Sequence, residues 1–145
     1  MTLVQIIKKI FGGFSGLNSN RAIDWMNQLN NLGFDKVTFP ILIQDGADLN
    51  MVYLEEFAGD PDLHYWEFDS DYKLIDSNGQ LWTWKYDHTN KTNLPGTFIR
   101  TMTLDEVKKI VSDYFRDSKI QSELETLTKE IKTIIDLFEK LEDKF

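Results

Sequence analysis

A chain of 145 residues that is 41% hydrophobic and 13% aromatic can bury one respectable core, so one domain with an extension is the economical count. Its formal net charge of −8 is interrupted by no cluster of Lys or Arg, which sets it against phosphate backbones and excludes nucleic acid from the expected partners. The absence of cysteine removes disulfides, thiolate metal sites and cysteine nucleophiles together, and fits a reducing cytoplasm.

Leu3, Ile6, Ile7, Ile10 and Phe11 mark one face of a short first helix, ended by Gly12, Gly13 and Gly16. Lys8 and Lys9 fall inside this apolar stretch rather than ahead of it, unlike a secretory leader. No run approaches the roughly 18 apolar residues of a membrane span, so no membrane partner is expected. A second helix begins near Ser19 or Asn20, turns Ile23, Met26, Leu29 and Leu32 inward, and stops at Gly33.

From Lys36 the texture becomes β-branched and aromatic. Val37 to Ile43, Met51 to Phe57 and His64 to Phe68 read as strands separated by Asp, Gly and Pro clusters. Two further strands flank Asn78-Gly79, a pair that favours a two-residue type I′ turn. That turn would set Ser77 opposite Gln80, Ile75 opposite Trp82, and Lys73 opposite Trp84. Both faces of the hairpin then carry apolar groups. If helices cover one, Trp82, Trp84 and Tyr86 on the other are either covered a second time or partly exposed. Asp87 to Gly96 reads as a polar loop, with Thr97 to Arg100 as a short edge strand.

Thr103-Leu104-Asp105-Glu106 is a capping box, so a helix starts there and carries Leu104, Val107, Ile110, Val111, Tyr114 and Phe115 inward. That phase breaks at Asp117 or Ser118. Beyond it Ile120, Leu124, Leu127, Ile131, Ile134, Phe138, Leu141 and Phe145 alternate in steps of four and three, predicting one last helix of about 26 residues. The flanks turn apolar at Ile135 and Leu137, widening the stripe toward the C-terminus. Such a helix either packs on its own domain or, through Ile120 to Leu141, makes a homo-oligomer. The expected organisation is an α+β domain over 1–117 and a heptad-patterned helix over 118–145. Its mainly antiparallel sheet has about four to six strands, with N-terminal helices and a long C-terminal amphipathic helix.

Chemistry is sparse. His64 and His88 lie in no nucleophile elbow, zinc-protease helix or phosphate loop, and the Gly12 to Gly16 run lacks the lysine a phosphate cradle needs. Asp60, Asp62 and His64, or Asp69 and Asp71, have the spacing of oxygen ligands. However, Lys73 stands where a third calcium-loop ligand belongs. Glu55 and Glu56 point to opposite faces of a strand, poor geometry for paired acid and base work. No catalytic residue, metal site or cofactor is assigned, and the chain is expected not to be an enzyme.

The run Leu74-Ile75-Asp76-Ser77-Asn78-Gly79-Gln80-Leu81-Trp82, followed by a helix opened at Thr103-Leu104-Asp105-Glu106, resembles the small acidic immunity proteins of bacterial toxin systems over residues 36 to 115. The heptads lie outside that pattern. The resemblance implies an inhibitor that covers a basic toxin surface, with Trp82 or Trp84 as anchors. The expected reading is a cytoplasmic protein-binding domain whose binding surface carries Trp82, Trp84 and Tyr86 with the nearby Asp69 and Asp71. Two alternatives stay open: an adaptor assembling through its last helix, and a small-ligand binder or enzyme with an aromatic pocket around Trp66, Trp82 and Trp84. An acidic surface that only keeps the domain soluble accounts for the charge equally well.

Overall fold

The computed structural model describes Asn27 and residues 31–53, 66–142 and 144–145. The expected first helix, most of the second, Glu55, Glu56, Asp60, Asp62 and His64 lie outside these residues. At the end of the expected second helix Asn27 and Asn31 are helical, and Gly33 turns the chain with φ of +107°.

A 3-10 turn, Phe34–Lys36, leads into five strands. They are β1 (Ile41–Asp45), β2 (Asp48–Val52), β3 (Tyr72–Ile75), β4 (Gln80–Asp87) and β5 (Thr92–Thr101). Three helices follow: α1 (Leu104–Tyr114), α2 (Gln121–Glu130) and α3 (Ile134–Leu141). Every strand pair is antiparallel and the sheet order is β2-β1-β3-β4-β5. The fold is therefore α+β with a five-stranded antiparallel sheet.

The sheet is covered on both faces, and β1 shows why. Consecutive strand residues point to opposite sides, yet Ile41, Leu42 and Ile43 are all buried. Ile41, Ile43, Val52, Leu74, Trp82 and Leu94 pack on one face with Phe34, Val37, Phe39 and Phe68. Leu42, Leu49, Met51 and Ile75 pack on the other with residues of α1, α2 and α3, among them Val107, Val111, Phe115, Leu124 and Phe138. A strand buried on both sides reads as an unbroken apolar run.

The hairpin at Asn78-Gly79 forms, but one residue away from the expected register. Lys73 pairs with Thr83, Leu74 with Trp82 and Ile75 with Leu81. Only Gly79, at φ of +80°, takes a left-handed conformation in this turn. The Gly79 amide donates to the Asp76 carbonyl at 3.0 Å, giving a three-residue loop rather than a type I′ turn. The cause is the Asp76 side chain, whose Oδ1 accepts from the amides of Asn78 and Gln80, both at 2.9 Å.

Three other expectations are corrected. Residues Trp66 to Phe68 are not a strand. The predicted loop over 87–96 is mostly strand: β4 and β5 pair from Gln80 and Thr101 as far as Asp87 and Thr92, interrupted by register shifts near Trp82. Pro95 is tolerated because β5 is an edge strand. The Asp87 carboxylate closes the short turn by accepting from Thr89 and Asn90.

In place of one long C-terminal helix there are two, parted at 131–133. Ile131 is extended, with φ of −78° and ψ of 129°, and its side chain is buried. Its carbonyl accepts from Lys108 Nζ at 3.0 Å, and Thr133 Oγ1 accepts the amide of Asp136 to cap α3. Near the chain end Lys144 Nζ reaches Glu123 Oε1 of α2 at 2.6 Å. A straight helix of that length would run past the sheet. Broken at Ile131, the segment brings Leu124, Ile131, Phe138 and Leu141 into one core.

The capping box at Thr103 forms as the spacing predicts: its hydroxyl accepts from the Glu106 amide, and Glu106 Oε1 accepts from the Thr103 amide, both at 3.2 Å. Glu106 also pairs with Arg100 at the end of β5, fixing the approach to α1. The Arg100 guanidinium and the Thr103 amide hold the Glu106 carboxyl down to about 2, from an ordinary 4.5. A folded-state value below the unfolded one contributes stability above pH 4.5 that is lost as pH falls toward 2. Glu106→Gln should therefore be less stable than the parent at pH 7, with the gap closing between pH 4.5 and about 2 in denaturant melts.

Candidate functional site

Three of the five residues expected to meet a partner lie on β4. Trp82 is only 8% exposed, and its ring meets Phe98 edge-on at 5.4 Å on the face covered by Phe34 and Phe39. Among the described residues its indole Nε1 has no hydrogen-bond acceptor. Trp84 is half-buried and set edge-on to Phe68 at 5.0 Å, while Tyr86 is half-buried against the exposed His88. Trp82 is thus spent on the core of the free chain, and Trp84 offers only part of its ring.

Asp69 and Asp71 are exposed in the turn that leads into β3. Asp69 Oδ1 accepts the amide of Asp71 at 2.8 Å, and the Asp69 carbonyl accepts that of Tyr72. This is the local turn chemistry that Asp favours, and it leaves the outer oxygens to solvent. Among the described residues no three His, Asp or Glu side chains gather as metal ligands would.

The heptad residues have internal uses. Leu124, Ile131, Phe138 and Leu141 are buried, Ile120 and Ile134 are partly buried against the same core, and Leu127 is half-buried. Phe145 lies 5.7 Å from the Tyr114 ring, nearly parallel to it.

Sequence reasoning names Trp66 only for an alternative aromatic pocket and not among the partner-binding residues. Placed on a strand with Phe68 two positions on, it would share the apolar face. Because the segment is not a strand, the two part company: Phe68 is 6% exposed and Trp66 is 50% exposed. Phe68 anchors the segment, stacked on Tyr72 with ring centroids 4.4 Å apart. Asn93, fully buried on β5, is the second anchor. Its Oδ1 accepts the Phe68 amide at 3.0 Å and its Nδ2 donates to the Trp66 carbonyl at 2.9 Å. Burial pushes the Tyr72 phenol up; the neighbouring Asp45 carboxylate adds to this, and the Trp66 side chain pulls the other way. Trp66 thus stands in the open on a tethered backbone, and the three acidic residues that follow it, Glu67, Asp69 and Asp71, are all exposed. The alternation of Glu67, Asp69 and Asp71 with Trp66 and Phe68 is that of a half-buried strand, so the sequence carries no local signal that separates Trp66 from Phe68.

Removing the Asn93 carboxamide should loosen this segment. Asn93→Ala leaves the Phe68 amide without its acceptor and should cost about 2 kcal/mol of stability. Hydrogen exchange at the Phe68 amide should accelerate beyond what the global loss accounts for.

Comparison with protein-family models, with curated proteins and with solved structures finds no match to this chain.

Proposed function

We propose that this chain is a non-enzymatic protein-binding domain whose partner presents a basic surface. One observation carries the reading: a tryptophan that is half exposed yet tethered through its own backbone, followed in the same short segment by three exposed carboxylates. An exposed indole is a large apolar area whose burial by a partner is favourable, and one already held in place loses little freedom on binding. The carboxylates, within a chain of net charge −8, speed encounter with a basic protein and disfavour acidic ones. The resemblance of residues 36 to 115 to toxin-system immunity proteins suits an inhibitor that covers a basic, nuclease-like active surface. The binding residues on this reading are Trp66, Glu67, Asp69 and Asp71, with the exposed part of Trp84 beside Phe68. Assembly through the heptads is not proposed, because Leu124, Ile131, Phe138 and Leu141 already fill the domain's own core.

The test is capture by the immobilised full chain from lysate of its source, with identification of what is retained at rising salt. The expected partner is a basic protein released by salt. Trp66→Ala should weaken its capture by about tenfold or more, and the combined Glu67→Gln, Asp69→Asn, Asp71→Asn variant should flatten the salt dependence. The Asn at 69 keeps the oxygen that accepts the Asp71 amide, so the turn survives. Undiminished capture by both variants would overturn the assignment.

A further inference from the structure

The half-exposed ring of Trp66 lies beside Tyr72, the first residue of β3, and the strand register shows what shares that end of the sheet. Side chains alternate along a strand, so Asp45 falls on the face of Ile41 and Ile43, and Asp48 on the face of Val52. Those three apolar residues belong to the same core layer as Phe68, which stacks on Tyr72. Asp45 pairs directly with Asp48 on β2 and with Tyr72 on β3. Asp48, Asp45 and Tyr72 therefore form a row across three neighbouring strands, on the face that the Trp66–Phe68 segment covers.

This row is left in electrostatic conflict. Carboxylates directly opposite each other on paired strands repel, and among the described residues neither Asp45 nor Asp48 has a cation within ion-pair distance. Asp48 is exposed and Asp45 half-buried. Burial first, then the Asp45 and Asp69 carboxylates, hold the Tyr72 phenol up while the Trp66 side chain pulls it down, so all three side chains converge on that phenol. The exposed indole, tethered through its backbone by Asn93, is thus bordered by carboxylates that lack a counter-charge. The group complementary to such a surface is a cation that also covers an aromatic face. Guanidinium fits better than ammonium: its planar fork of donors matches carboxylate oxygens, it stacks on indole, and it is the more weakly hydrated of the two.

We propose that the Trp66 ring and the Asp48–Asp45–Tyr72 row receive an arginine side chain of the protein partner. The inference rests on the reading of a basic partner and names the group that meets Trp66. It is tested without that partner, by titrating the isotope-labelled full chain with N-acetyl-arginine amide at low ionic strength. The resonances followed are the Trp66 indole N–H, assigned by its loss in Trp66→Phe, and the backbone amides of Asp45, Asp48 and Tyr72. These should shift saturably and together, and the uncharged isostere N-acetyl-citrulline amide should shift none of them. Asp48→Asn should bind about tenfold more weakly. The same variant should unfold at no lower temperature than the parent, because it removes a repulsion across the β1–β2 pair. Trp66→Leu, which keeps an apolar side chain and removes the ring, should weaken binding as well. No saturable shift, equal shifts with citrulline, or binding indifferent to both substitutions would overturn the site. A site silent to arginine beside intact Trp66-dependent capture would remove this inference and leave the proposed function standing.

Discussion

The buried carboxylate of Asp76 is the constraint on which the rest of the structure depends. It is fully buried, and its two oxygens accept three amides: Asn78 and Gln80 in its own turn, and Thr38 in the segment that covers the sheet. Around it Ser77 donates to the Pro40 carbonyl at 2.6 Å, the Ser77 amide donates to Thr38, and the Met102 amide donates to the Gly79 carbonyl at 2.7 Å. One turn thus joins the β3–β4 hairpin, the layer on one face and the approach to α1 on the other. A Cβ at Gly79 would collide with Ile134 Cδ1, so α3 closes against the same turn. Burial pushes the Asp76 carboxyl up while the three amides pull it down, and burial wins. Burial disfavours the charge, and the carboxylate is kept because three partly buried N–H groups would otherwise lose their acceptor.

This arrangement connects the core to the proposed surfaces. The register it sets, with Leu74 opposite Trp82, turns Trp82 into the covered face and makes it core rather than anchor. With that face filled, the aromatic left outside is Trp66, tethered by Asn93 from the adjoining strand. On that same face the pairing of β1 with β2 and β3 brings Asp48, Asp45 and Tyr72 into one row beside it.

Much of the fold was legible in the residues, and what escaped had identifiable causes. The capped helix at Thr103 and the presence of a hairpin at Asn78-Gly79 follow from local chemistry that the tertiary structure left alone. The hairpin register did not, because the choice between a two- and a three-residue loop was made by Asp76, whose carboxylate found its third amide in distant Thr38. Pro95 and Gly96 suggested a loop, although an edge strand accommodates both. The heptads ran without a miss because one extended residue, Ile131, still delivers its side chain to the core, so periodicity did not register the break. Trp66 was hidden by the assumption of a strand. Of the partner-facing residues named from sequence, Asp69 and Asp71 are exposed beside Trp66, whereas Trp82 is covered.

The measurement that bears most directly on this account is the unfolding free energy of Asp76→Ala and Asp76→Asn against the parent at neutral pH. Alanine deprives three partly buried amides of their acceptor and should cost about 3 kcal/mol. Asparagine keeps the oxygen that serves Asn78 and Gln80, relieves the buried charge, and opposes only the Thr38 amide, so it should cost about 1 kcal/mol. An alanine variant within about 0.5 kcal/mol of the parent, the usual range of a surface substitution, would contradict the claim that this turn holds the two layers together.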